Sequence, residues 1–309
     1  MNERTYFFIA GLPRSGSDLL RDIIAQRPDS HSTTNESLCD RMYGQQHMLW
    51  SGSREILSDL HHDEPGTQRW MLDVSRAILD ARYREHEVPF IFDKGRGWIN
   101  HHDALAHTHP RSKIIVTVRH PLNCAASLHN LHMRFPILSD APGGLPNEPF
   151  MDKLRRWFDP IGDPRTGRPP GQIGANLVRI EDKVLCGPKR FPNIVFVRFE
   201  DLVHQPKKTM RQLYVDLDIP DYEHDFDNVE AKATDLDALH RGKVIHRRES
   251  GPIKPPDTTW HDIVPPILAQ EFAQRYQYTF SKFEYGPAGA GRPNAVLRGG
   301  RSVTSRGEN

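Results

Sequence analysis

The chain is poor in cysteine: 309 residues carry three, Cys39, Cys124 and Cys186, widely spaced and without a CxxC pair. That excludes a disulfide framework and a zinc ribbon, and a reducing cytoplasm is the expected setting. A surplus of either charge is also missing, with 41 Lys plus Arg against 40 Asp plus Glu. Net charge therefore gives no reason to expect nucleic acid or an acidic membrane as partner, and any anion site has to be built by local geometry. No segment approaches the roughly 18 apolar residues of a membrane span, and the apolar run in "MNERTYFFIAG" is too short for a signal peptide. A soluble, cytoplasmic, unprocessed chain with no membrane partner is expected. There is no internal repeat.

What is present is an ordinary globular composition, 37% hydrophobic and 26% charged, enough for a sizeable core. Four short apolar runs stand out: "YFFIAG" (6–11), "PFIFDKG" (89–95), "KIIVTVRH" (113–120) and "NIVFVRFEDL" (193–202). Their apolarity is continuous rather than alternating, which suggests strands buried on both faces. Helical patterns follow or precede each of them: "SDLLRDIIAQ", "DVSRAILDARYREH", "LNCAASLHNLH" and "PKKTMRQLYVDL". Strands alternating with helices predict an α/β fold with a doubly wound parallel sheet flanked by helices. One domain is expected over 1–285, followed by a Gly, Arg and Ser rich tail, 286–309, expected to be disordered. The stretches 37–88 and 130–172 are read as largely irregular connections of the kind that carry substrate contacts.

The stretch "GLPRSGSD", Gly11 to Asp18, has G-x-x-x-x-G spacing between a strand and a helix, the context of a phosphate-binding P-loop. A nucleotide triphosphatase would continue with Lys and Ser/Thr; here Ser17 and Asp18 follow. Loss of that lysine argues against ATP or GTP hydrolysis. An anion site remains, because the backbone N–H groups of residues 14–18 open a helix and Arg14 adds a guanidinium suited to bidentate phosphate contact. The alternative is a glycine-containing turn with Arg14 merely exposed.

"GLPRSGSDLLRDIIAQRPD" resembles the 5′-phosphosulfate loop of the sulfotransferase family, closest to the tyrosylprotein and bacterial branch. "KIIVTVRHPLNCAAS" is similar to the family's 3′-phosphate segment, with Arg119 at the strand end and Ser127 eight residues on. "VRFEDLVHQPKKTMRQLYVDLDIP" resembles a third family segment, except that Phe199 stands where Tyr is usual, so a phenolic hydrogen bond to the donor is expected to be lost. The resemblance implies a P-loop-containing fold and transfer of a sulfuryl group from 3′-phosphoadenosine 5′-phosphosulfate to a hydroxyl or amine, leaving adenosine 3′,5′-bisphosphate, with no metal. It assigns Arg14, Ser15, Gly16, Ser17 and Asp18 to the 5′ side of the donor and Arg119 with Ser127 to its 3′-phosphate. The C-terminal part nominates Arg248, Ser250 and Lys254 as further donor contacts.

Lys94 in "FDKGRGW" falls where the family keeps its catalytic lysine. The histidine that the cytosolic branch places two residues later is Arg96 here, so the base has to come from elsewhere. Glu36 in "STTNESL" is the candidate by resemblance to the tyrosylprotein branch, after a one-residue shift; a capping-box or surface glutamate is its alternative. His101 and His102 in "INHHDALAHTH" are alternative bases, because imidazole titrates near neutral pH; a metal site there lacks a motif of defined spacing. Asp18 replaces the family's second threonine, and it is expected to turn away from the donor and cap N–H groups of the first helical turn. The expected function is sulfuryl transfer to a small metabolite. Two rivals stand beside it, a catalytically impaired nucleotide-binding protein of the same fold and an ATP-dependent P-loop kinase. Nothing in the sequence reads on oligomeric state.

Overall fold

The computed structural model describes residues 4–33, 38–135, 148–232, 249–257 and 259–286. Five strands form one sheet in the order β2-β3-β1-β4-β5, with β1 Thr5–Gly11, β2 Ser30–Ser32, β3 Phe90–Lys94, β4 Lys113–Val118 and β5 Ile194–Arg198. Every neighbouring pair is parallel. The parallel, two-faced sheet expected from continuous apolar runs is therefore present. Tyr6, Phe8 and Ala10 of β1 enter one hydrophobic cluster while Phe7 and Ile9 enter the other. Ile114, Val116 and Val118 of β4 likewise face the first cluster and Ile115 the second. Alternate residues thus point to opposite faces, and both faces are apolar because helices cover both.

Twelve helices surround the sheet among the described residues: α1 Ser17–Ile24, α2 Leu38–Gly52, α3 Arg54–His62, α4 Glu64–Arg82, α5 His102–Thr108, α6 Pro121–Arg134, α7 Phe150–Phe158, α8 Gln172–Arg190, α9 Phe199–His204, α10 Pro206–Leu217, α11 Pro266–Arg275 and α12 Gln277–Lys282. One sheet face is covered by α1, α9 and α10, through Leu20, Ile23, Leu202, Met210 and Leu213. The other carries α2, α4 to α8, α11 and α12, through Tyr43, Leu79, Leu122, Trp157, Ile173 and Phe272. Helix α1, which follows β1, and helix α6, which follows β4, therefore leave the sheet on opposite sides. Since β1 and β4 are neighbours, a crevice opens between their C-terminal ends, the usual ligand position in open parallel sheets.

Three expectations need correction. The stretch 37–88 is mostly helical, as α2, α3 and α4; Ser53 and Asp63 accept bonds from Ile56 N–H and Gly66 N–H and so start the last two, N-caps that a reading by apolar period passes over. Residues 130–172 include the end of α6 and all of α7, while 136–147 lie outside the described residues. The fourth apolar run ends as a strand at Arg198, where Phe199 opens α9, because acidic Glu200 and Asp201 favour the first turn of a helix. The edge strand β2 had no apolar signal at all; "SHS" is held by pairing with Phe90, Ile91 and Phe92. The tail beyond Gly286 lies outside the described residues, and among those described no helix is long and apolar enough to cross a membrane.

Burial sets a pH dependence. Desolvation lowers the pKa of His31, His109, His120, His132 and His224 from 6.5 to about 4. In the unfolded chain these imidazoles take up protons near pH 6.5, whereas in the folded chain they do so only near pH 4. Between those values the unfolded state binds more protons, so stability is complete above pH 6.5 and declines as pH falls towards 4. Thermal unfolding is expected to drop by about 5 °C or more from pH 7.5 to pH 5; a flat profile over that window would contradict the buried, neutral assignment.

Candidate active site

The loop after β1 is shaped by three residues with positive φ: Gly11 at 141°, Arg14 at 64° and Gly16 at 89°. A Cβ at Gly11 would lie 2.2 Å from the Thr117 carbonyl oxygen, and one at Gly16 would lie 2.4 Å from the Phe199 ring. Glycine is required at both places by backbone conformation and by close approach. Arg14 holds a left-handed conformation at a cost on the order of 1 kcal/mol, which is tolerated where neighbours fix the residue. They do: its carbonyl accepts a bond from Arg119 Nη1 at 3.0 Å, and its own Nε donates to Ser127 Oγ at 3.1 Å. The two motifs, a hundred residues apart in sequence, are one hydrogen-bonded unit in the crevice between β1 and β4.

Arg119 is 6% exposed. Its guanidinium lies over the Phe199 ring at 4.6 Å, and its Nε is buried without a hydrogen-bond partner among the described residues. A buried donor left unpaired beside a left-handed loop, and beside the unpaired N–H groups of the first turn of α1, is a site that fits an anion. Phe199 makes this geometry by packing against both Gly16 and Arg119. The loss of a phenolic hydroxyl is thus accompanied by a cation–π contact of about 0.5–2 kcal/mol. Burial lowers the pKa of Arg14, Asp18 opposes that shift and the neighbouring Arg119 adds to it, so the site is electropositive and two guanidiniums are crowded together.

Ser15 anchors the loop. It is 1% exposed, its Oγ donates to the Leu12 carbonyl at 2.6 Å and lies 2.7 Å from Thr117 Oγ1, and its N–H bonds Leu12 O at 3.3 Å. The side chain therefore ties the loop to β4 and faces away from the crevice. Thr117 was missed by the sequence reading; its one signal was a hydroxyl inside an otherwise apolar strand. Ser17 is the first residue of α1 and half-buried.

Lys94 ends β3. Its N–H donates to Thr33 Oγ1 at 2.9 Å, which joins the ends of β2 and β3. Its Nζ lies 2.9 Å from Asp18 Oδ1. Asp18 also accepts from Arg21 Nη1 at 3.1 Å. The expected N-cap is not formed: Gly16 is the cap residue and no side chain caps α1. Asp18 instead pairs with two cations, each a stronger partner than a backbone N–H. Its carboxyl is held below the usual carboxylate value: burial pushes it up, but Lys94, Arg21 and Arg14 together pull it further down.

The remaining candidates divide. Glu36 and Arg248 lie outside the described residues. Ser250 accepts a bond from Ala231 N–H at 2.9 Å, next to the bridge between Val229 and Gly251. Lys254 is exposed. His102 packs edge-on against Phe191 at 4.6 Å and pairs with Asp103. Phe191 precedes β5, so His102 sits at the N-terminal edge of the sheet, across from the loop. His101 instead faces Asp40, with Nε2 3.3 Å from Oδ1, while Asp40 Oδ2 accepts Gly97 N–H at 2.9 Å. This pins the start of α2 to the turn that follows Lys94. Among the described residues no group of three His, Cys, Asp or Glu could hold a metal ion.

Residues 7–158 match the model of the Sulfotransferase family. Among curated proteins, the chain is similar to Protein-tyrosine sulfotransferase 1 of Danio rerio, 27% identical over 216 residues that make up 69% of this chain and 53% of that one. The chain spans about half the length of the curated relative it matches. Among solved structures it is similar to the sulfotransferase domain of the Synechococcus PCC 7002 olefin synthase, at 19% identity and TM-score 0.48 over 91% of this chain and 96% of that one. It is also similar to mouse sulfotransferase SULT7A1 complexed with PAP, at 13% identity and TM-score 0.47 over 91% and 85%.

Gly16→Ala tests the loop. Positive φ and contact with Phe199 together are expected to cost about 2 kcal/mol or more by denaturant unfolding. Adding Phe199→Ala is expected to return part of that loss, because it removes the clash and leaves the backbone strain. A Gly16→Ala variant as stable as the wild type would contradict the close packing described.

Proposed function

Because the chain belongs to the sulfotransferase family, we propose that it transfers a sulfuryl group from 3′-phosphoadenosine 5′-phosphosulfate to a hydroxyl or amine of a small-molecule acceptor, leaving adenosine 3′,5′-bisphosphate. The observation that carries this reading is the union of the two anion-binding motifs: Arg119 on the Arg14 carbonyl and Arg14 on Ser127. A single loop would serve any phosphate. Two joined cationic strand ends in a crevice suit a ligand with two separate anionic groups. When bound, the donor supplies an electrophilic sulfuryl group whose S–O bond to the 5′-phosphate breaks as the bond to the acceptor atom forms.

The chain's own residues then have distinct tasks. Backbone N–H groups of Gly16, Ser17 and Asp18 receive the 5′ anion at the start of α1. Arg119 turns its unpaired Nε, and Ser127 its hydroxyl, towards the 3′-phosphate. Arg14, half-buried beside both, stabilises charge between them. Lys94 neutralises charge on the transferring group and the departing phosphate. The acceptor's proton needs a base; of the three candidates His102 is across the sheet, and Glu36 is preferred to His101, whose ring is engaged with Asp40. Glu36 lies outside the described residues, and its candidacy rests on the resemblance to the tyrosylprotein branch. A kinase reading is less well supported, because Asp18, the residue that would ligate magnesium, is paired with Lys94 and Arg21.

Incubation with ³⁵S-labelled donor and a panel of alcohols, phenols, sugars, amines and tyrosine peptides is the test. Transfer to at least one small acceptor is expected, with Lys94→Ala lowering the single-turnover rate by about 100-fold. Failure to bind either the donor or the bisphosphate would overturn the reading, and bisphosphate binding with no transfer to any acceptor would favour the impaired, nucleotide-holding alternative.

A further inference from the structure

Lys94 has to serve the anion held by the loop, yet its Nζ already lies 2.9 Å from the Asp18 carboxylate. The same oxygen accepts from Arg21 Nη1 at 3.1 Å, and Arg21 is buried and held in turn by Asp22 at 2.7 Å. Asp18 stands one residue after Ser17 in the first turn of α1. The N–H groups that would receive the 5′ anion and the carboxylate that repels it therefore share one helical turn. Lys94 has an 8% exposed side chain and Asp18 a 37% exposed one. The ammonium is largely withdrawn from water, and a withdrawn charge needs a partner. Among the described residues, Arg14, Arg21, Lys94 and Arg119, all cationic, gather at the loop around the Asp18 carboxylate.

We propose that Asp18 is the resident counter-anion of Lys94: it holds the ammonium at the loop in the ligand-free protein and yields it to the incoming anion, so that nucleotide binds in competition with an internal carboxylate. This rests on the donor reading above. Asp18 is a positioning residue, acting through Lys94. The threonine expected at its position would leave Lys94 without a charged partner before the ligand arrives. Affinity for the bisphosphate is lower than the cationic cradle alone would give, which favours release of the product.

A double-mutant cycle tests the competition. Calorimetry with adenosine 3′,5′-bisphosphate as probe is run on the full chain and on Asp18→Asn, Lys94→Met and the double variant; Asp18→Thr stands in should the Asn variant not fold. Asp18→Asn is expected to tighten binding at least tenfold with Lys94 present and by a factor at least fivefold smaller with Met at 94. Equal tightening in both backgrounds overturns the proposal, since simple repulsion acts whether or not Lys94 is there; no tightening overturns it as well. A second measurement needs no nucleotide. Acylation of Lys94 in the ligand-free protein, followed by peptide mass spectrometry, is expected to run at least threefold faster in Asp18→Asn. Equal rates overturn the counter-anion role. Should the bisphosphate bind none of the four proteins, the donor reading fails, while the acylation rates still decide between Asp18 as partner of Lys94 and Asp18 as bystander.

Discussion

The hydrogen bond from Arg119 to the carbonyl of Arg14 holds the rest of the site in place. It reaches from the end of β4 to the loop after β1, 3.0 Å between heavy atoms, and it fixes a residue whose backbone is left-handed and would otherwise relax. Once Arg14 is fixed, its side chain reaches Ser127 on α6, and the helices that diverge from β1 and β4 are tied at their starts. Phe199 closes the arrangement from the end of β5, against Gly16 on one side and Arg119 on the other. With Thr33 and Lys94 joining β2 to β3, all five strands contribute to the site at their C-terminal ends. That is what parallel strands permit: one edge of the sheet collects every loop that can carry chemistry.

The electrostatics follow from the same crowding. Arg14 and Arg119 are cations brought together with little water, and their mutual repulsion is built into the crevice. Asp18 offsets it. Its carboxylate lies within 3.1 Å of both Lys94 and Arg21, and the loop carries its own counter-charge. Lys94 thereby stays pointed at the loop before any ligand arrives. Orientation set in advance lowers the cost of reaching the reactive arrangement.

Much of this was legible in the sequence, and the parts that were not have physical reasons. Continuous apolar runs located β1, β3, β4 and β5, because strands buried on both faces leave a strong signal. β2 left none, since a three-residue edge strand of Ser and His is stabilised by pairing rather than by its own side chains. The helices α2 and α3 were passed over, and α4 was read only in its second half, because their apolar stripe is weak; few side chains of α3 and α4 are buried. Arg14, Lys94, Arg119 and Ser127, named from residue type and spacing, all stand near the C-terminal ends of the strands, where a strand end meets a helix start. What sequence could not tell was direction. Ser15 points into the sheet, His102 sits at the far edge, and Asp18 chooses Lys94 and Arg21 over the helix cap. Each of those outcomes depends on a partner at least a few residues away, and for Lys94 and Thr117 on a partner brought near only by the fold.

The central claim is that the loop after β1 and the Arg119–Ser127 pair form one clamp for two phosphates. Comparing the affinity of the wild-type protein for adenosine 3′,5′-bisphosphate with that for adenosine 5′-monophosphate, at one fixed salt concentration, tests it most directly. The account predicts at least a hundredfold preference for the bisphosphate, about 2.7 kcal/mol from one additional charge-assisted contact, and a collapse of that preference in Arg119→Ala. Equal affinity for the two nucleotides would contradict it.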